Sequence, residues 1–151
     1  MMVLLIVITG LMAGVYFTFS VVIMKSFALL PELDAARAMN KINEVIVKTI
    51  FLPVFFGSTL CFVGLILWSI VDWRGMTSAL VVVASIIYLI GMSMITAFGN
   101  VPLNNGLKIN SDDEAKLVEY WRKYLAVWTG LNHLRTISCI ATCTLLAIAY
   151  S

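Results

Sequence analysis

Charge is what this sequence has least of. Of its 151 residues only 12% are Asp, Glu, Lys or Arg, and histidine occurs once, at His133. Soluble domains carry about a quarter charged residues, so a soluble globular domain is excluded. The 62% of hydrophobic residues and the mean hydropathy of +1.01 point the same way. One histidine and no acid within any apolar run leave no usual ligand set for a metal or haem, so neither a metal nor another cofactor is expected. The net charge is only +2, with no basic patch to suggest nucleic acid. The three cysteines, Cys61, Cys139 and Cys143, all lie in apolar runs and form no C-x-x-C pair. Cys139 and Cys143 are four apart on one helical face, near the upper limit for bridging. Small apolar packing is the role that suits them.

Four apolar runs are present, each long enough to cross a hydrocarbon core of roughly 30 Å. They are Met1–Met24, Thr49–Val71, Met76–Gly99 and Trp128–Tyr150, and Arg135 is the only charged residue inside them. The expected fold is all-α: one transmembrane domain over residues 1–151, a four-helix bundle with two amphipathic helical connections. The first run lacks a basic start and exceeds the apolar stretch of about 7–15 residues found in signal peptides, so it reads as a retained span. The first connection holds Lys25, Arg37, Lys41 and Lys48; the third holds Lys108, Lys116, Arg122 and Lys123; the second holds only Arg74. The positive-inside rule then puts connections one and three in the cytoplasm and both termini outside a cell (inner or plasma) membrane.

Within the first span, Tyr16, Phe17 and Phe19 fit either an aromatic belt or a cavity wall, and Tyr16 and Ser20 share a face. Pro31 precedes an amphipathic helix over Glu32–Lys48 with the apolar stripe Met39, Ile42, Ile46, Ile50, placed on the membrane surface or over the bundle end. Leu52-Pro53 opens the second span and Asp72-Trp-Arg-Gly75 forms a tight outer turn. Pro102 and Gly106 are expected to end or distort the third helix, close to Asn100, Asn104 and Asn105. Ser111-Asp-Asp-Glu114 has the S-x-x-E form of a capping box and launches a long helix into the fourth span. Residues 1–73 and 76–151 each read span, connection, amphipathic helix, span, which fits a parallel internal repeat although residue identity between them is poor.

The chemistry gathers in Trp128-Thr-Gly-Leu-Asn-His-Leu-Arg-Thr136. A guanidinium at hydrocarbon depth costs about 2.5–3.5 kcal/mol on insertion scales, so Arg135 marks a functional site by default. Snorkelling of Arg135 to the surface, and a capping role for His133, are the plain alternatives. On a helix Trp121, Leu125, Trp128, Asn132, Arg135 and Cys139 share one face, while His133 turns roughly 100° away from Asn132. Tyr16, Phe17 and Ser20 from span one, Asn100 and Asn104 from span three, and Trp128, Asn132, His133 and Arg135 from span four come to one depth. Ligand sites in bundles form in this way, from facing helices.

The motifs A-G-V-Y-F-T-F-S at 13–20, F-G-N-V-P-L-N-N-G-L at 98–107 and W-T-G-L-N-H-L-R-T at 128–136 resemble the anthrone-oxygenase-like family of small four-helix membrane proteins. The resemblance implies a cofactor-independent oxygenase of a hydroxyaromatic or quinone precursor. On that reading His133 would be the general base, since it alone titrates near neutrality. Arg135, with Asn132 or Asn100, would stabilise an enolate oxygen. Trp128, Tyr16 and Phe17 would enclose a flat substrate. Three other classes remain open: a non-catalytic membrane binder of a lipid or quinone, a small transporter or channel subunit, and a structural partner bundle. Expected partners are the bilayer and a small hydrophobic or aromatic ligand, and a homo-oligomer is compatible with the sequence.

Overall fold

A computed structural model describes residues 2–151, and all of their regular structure is helical. Helix α1 covers Met2–Phe27, α2 Glu32–Ile46, α3 Phe51–Val71, α4 Met76–Asp112 and α5 Glu114–Tyr150. Helices α1, α3, α4 and α5 are long and apolar enough to cross a membrane. Met1, which opens the first apolar run, lies outside the described residues.

The burial pattern is inside-out relative to a soluble bundle. Leu4, Leu11, Leu60, Leu67 and Ile137 are exposed on the outer faces. Inside, small polar residues bond across helices: Ser58 Oγ lies 2.7 Å from Tyr88 Oη, and Thr59 Oγ1 lies 2.9 Å from Ser93 Oγ. Such pairs satisfy hydroxyls where no water is at hand. Helix α5 is the axis of the bundle, packing on α1, α2 and α4, while α3 packs on α4 and only lightly on α1. At 37 residues and a rise of about 1.5 Å each, α5 is far longer than the hydrocarbon is thick. Its first turns therefore stand outside the bundle core and carry α2.

Helix α2 lies over one end of the bundle. It buries Ala35, Ala36 and Met39 against Leu107, Leu117, Trp121 and Tyr124. Glu32 receives Arg122 Nε at 2.8 Å, Arg37 pairs with Glu114, and Asn40 Nδ2 donates to the Leu107 carbonyl at 3.3 Å. The helix stops at Ile46 rather than Lys48, so Ile50 leaves the expected stripe and is exposed.

Of the two outcomes expected at Pro102 and Gly106, α4 is distorted rather than ended, and it runs on to Asp112; the expected N-cap of α5 is corrected. Wide π-type turns at Leu89–Met94 and Thr96–Asn100 precede Pro102 and open the helix where its ring would otherwise meet the preceding turn. Gly106 lies under Tyr120, whose hydroxyl occupies the space a Cβ would take. The N-cap of α5 is Asp113, not Ser111: its carboxylate accepts from Ala115 N at 3.1 Å and Lys116 N at 3.2 Å. Ser111 instead closes a 3-10 turn by donating to the Lys108 carbonyl. The four-residue turn Asp72–Gly75 does form, with Gly75 at φ 62°, a conformation that favours glycine.

Candidate functional site

The light contact between α1 and α3 leaves a cavity of about 330 Å³ to which all five helices contribute. Its walls are almost wholly apolar: Val15 and Phe19 from α1, Met39 and Ile42 from α2, Phe51 and Phe55 from α3. Its few polar side chains are Thr96, Asn100 and Asn104 from α4, Trp128 and Arg135 from α5, Asn43 from α2 and Tyr16 from α1. The α4 groups are placed by the π-type turn Thr96–Asn100, and α1 has a similar turn at Phe19–Ile23. Turns of this kind are common at functional sites because they displace side chains from the regular helical pattern.

Arg135 is the only charge in the cavity wall, and it is 95% buried, its relative exposure being 5%. Among the described residues no carboxylate pairs with it. Its guanidinium stands over the Tyr16 ring at 4.3 Å and the Trp128 ring at 5.1 Å from the centroids. Aromatic faces attract a cation and offset part of its desolvation. Nη2 donates to Asn132 Oδ1 at 2.7 Å and Nη1 to Thr96 Oγ1 at 3.4 Å, while Nε has no partner. The snorkelling alternative is thereby ruled out by position.

Asn132 is fully occupied beneath it. Its Nδ2 donates to the Tyr16 carbonyl and to Ser20 Oγ, each at 2.7 Å. Asn132 and Ser20 therefore hold Arg135 and the α1 wall in place and do not line the cavity. Asn100 donates from Nδ2 to the Trp128 carbonyl at 3.3 Å and leaves its buried Oδ1 without a partner. Asn104 Oδ1 accepts both Tyr124 Oη at 2.8 Å and Trp128 Nε1 at 2.9 Å, which fixes the indole as a wall. The rings of Trp121, Tyr124 and Trp128 stack successively along α5.

Besides Asn132 and Ser20, two further residues expected at the site do not line the cavity. His133 is exposed and lines a separate shallow groove with Lys25 and Thr129. It and Arg135 point into different spaces because two helical steps separate them by roughly 200°. Phe17 is 52% exposed on the outer face of α1. Phe19, which packs its ring at 5.7 Å from that of Trp128, supplies the α1 aromatic wall instead. The i, i+3 relation of Tyr16 to Phe19 carries that signal in the sequence. Thr96, four before Asn100, could have been found by the same periodicity; Asn43 of α2 could not, since its place depends on how α2 docks. No three His, Cys, Asp or Glu side chains gather among the described residues, so none is assigned to a metal.

Comparison with known proteins gives no match to a curated protein and none to a solved structure. A family model described as anthrone oxygenase matches residues 45–145. The match starts near the end of α2 and takes in Asn100, Asn104, Trp128, Asn132 and Arg135, but not Tyr16 or Ser20. It covers well over half of the sequence, and the chain, a membrane protein by its four apolar helices, belongs to the anthrone oxygenase family.

Proposed function

We propose that the cavity binds a flat hydroxyaromatic compound as its enolate or phenolate and that the protein is a cofactor-independent oxygenase of that compound. The observation that carries this is Arg135: a buried cation, held between two aromatic rings, with no carboxylate among the described residues to neutralise it. A buried charge is stabilised most by an opposite charge brought into contact with it. An acidic C–H flanked by aryl rings supplies such an anion when it ionises, with the charge on the keto oxygen. Arg135 would hold that oxygen, favouring ionisation. Asn100 Oδ1, an acceptor without a donor, would take a neighbouring phenolic O–H. The enolate would pass one electron to O₂, and the two radicals would combine at carbon to give a hydroperoxide. Loss of water from that hydroperoxide leaves a carbonyl, so a methylene and one O₂ become C=O and H₂O.

A second reading, a binder without turnover, is favoured by the position of His133 outside the cavity. The proton would then have to leave to water at the cavity mouth rather than to a side chain. In both readings the chain acts as a single four-helix transmembrane domain in a cell membrane. Connections one and three would face the cytoplasm by the positive-inside rule.

The deciding experiment is O₂ uptake with 1,8-dihydroxyanthrone by the protein in lipid nanodiscs. Expected is one O₂ consumed per quinone formed, at a rate that Arg135→Gln lowers by about 10²-fold, the scale of one lost oxyanion donor. Uptake no faster than in empty nanodiscs, together with saturable binding, would leave the binder reading in its place.

A further inference from the structure

Beside the apolar cavity lies a second, polar one of about 210 Å³, and Asn43 and Asn104 line both. We propose that this vestibule takes a carboxylate carried by the same ligand whose aromatic body fills the cavity, with Asn43, Asn104 and Lys108 as its recognition groups. The inference rests on the aromatic-ligand reading above and adds the chemistry of a second group on that ligand.

The argument begins with an excess of donors. Asn104 Oδ1 already accepts from Tyr124 and Trp128, so the opposite end of that amide is its NH₂ group. That NH₂ makes no hydrogen bond among the described residues. Asn43 Nδ2 is buried and makes at most a poorly formed bond to the Tyr124 hydroxyl beside it. Buried polar groups in native proteins are nearly always paired, and the missing partner here is an acceptor. Asn40, also in the vestibule wall, is not available, because its Nδ2 is used on the Leu107 carbonyl.

Charge points to an anion rather than a neutral acceptor. The one acid in the wall, Glu44, is bonded to Lys41 Nζ at 3.1 Å. Its carboxyl is held below the usual range first by that bond and further by Lys108 and Lys48. Of these only Lys41 is in contact with the Glu44 carboxylate, and Lys108 in the wall has no ion pair among the described residues. A carboxylate has two oxygens, each able to accept two bonds, which suits two amide donors and an ammonium.

The test uses two stable quinones that differ in one group: 1,8-dihydroxyanthraquinone and its 3-carboxylate. Binding is followed by tryptophan quenching in nanodiscs of neutral phosphatidylcholine at low salt. The carboxylate is expected to bind about tenfold more tightly, the scale of one added charge-assisted contact. Lys108→Gln should reduce that preference and leave the Kd of the quinone without the carboxylate unchanged, and Asn43→Leu should also reduce the preference. Glu44→Gln should widen the preference. Equal affinities, or a preference that neither Lys108→Gln nor Asn43→Leu alters, overturn the vestibule assignment while the aromatic site stands. If neither quinone binds, the aromatic-ligand reading falls and this inference falls with it.

Discussion

Arg135 and Asn132 form a relay from α5 to α1: the guanidinium donates to Asn132 Oδ1, and Asn132 Nδ2 donates on to Tyr16 and Ser20 of α1. One amide thus ties the only buried charge among the described residues to the wall opposite. Its two ends are used in opposite senses, which is why neither a carboxylate nor an aliphatic side chain can replace it. Asn132→Leu would leave an Arg135 N–H unpaired and remove the side-chain bonds to the Tyr16 carbonyl and Ser20 Oγ at once. The expected loss is about 1–3 kcal/mol for each buried group stranded, read as a lower unfolding midpoint in detergent. Asn132→Gln has the same amide one carbon further out and should recover less than half of the loss. A midpoint unchanged by Asn132→Leu would show that the relay contributes nothing to the packing of α1 on α5.

Gly91 and Gly130 offer a contrast within the same bundle. A Cβ on Gly91 would fall 1.9 Å from Ser138 Oγ, whereas one on Gly130 meets nothing within 4 Å. Gly91→Ala should therefore force α4 and α5 apart and cost about 1–3 kcal/mol, the range for overpacking a tight core. Gly130→Ala should be neutral or raise stability by up to about 1 kcal/mol, because alanine favours helix. Thermal unfolding of both variants checks this, and Gly130→Ala falling with Gly91→Ala would contradict the geometry.

The helices were legible because apolar length and the near absence of charge leave few alternatives for such runs. The face of α5 was legible too: Trp121, Trp128, Asn132 and Arg135 are all buried on it. The π-type turns ahead of Pro102 were not legible, since a proline after a glycine-containing stretch usually marks a break. The N-cap was ambiguous, because Ser111 and Asp113 both precede a plausible first turn and only the backbone decides between them. His133 lies in a separate groove, as its roughly 200° separation from Arg135 on one helix already implied. The part played by α2 in the cavity depends on docking over long sequence separations, as in Glu32 with Arg122, and no local pattern encodes it.

That docking should respond to acid. Arg122 bonded to Glu32 holds the Glu32 carboxyl below its ordinary value of 4.5. A carboxyl depressed in the folded state stabilises it above the unfolded value and loses that contribution as pH falls through the folded one. The seat of α2 should therefore be constant above pH 4.5 and loosen below it. Both partners are exposed, so the effect is modest and weakened by salt. Hydrogen exchange over Glu32–Ile46 at pH 6 and pH 3.5, corrected for the intrinsic rate, is the measurement. Protection equal at the two values would assign the docking to Ala35, Ala36 and Met39 alone.

The charge of Arg135 can be cancelled without removing its side chain. Thr96 Oγ1 already receives Nη1 at 3.4 Å, so an aspartate at this position would stand beside the guanidinium as a permanent counter-ion. A buried pair attracts strongly enough to hold both groups charged, whereas truncation of Arg135 would also open space between Tyr16 and Trp128. Thr96→Asp should therefore preserve helix content and the unfolding midpoint to within about 1 kcal/mol, the pair offsetting the cost of the new acid. Binding of 1,8-dihydroxyanthraquinone as its phenolate should nevertheless weaken by at least about tenfold, as expected when a charge-assisted contact of about 1.5–3 kcal/mol is lost. Thr96→Asn, nearly identical in shape and uncharged, should bind close to the parent. Weakening by both variants alike would mean that the cavity reads shape at this position; weakening by the aspartate alone identifies the positive charge as what holds the ligand.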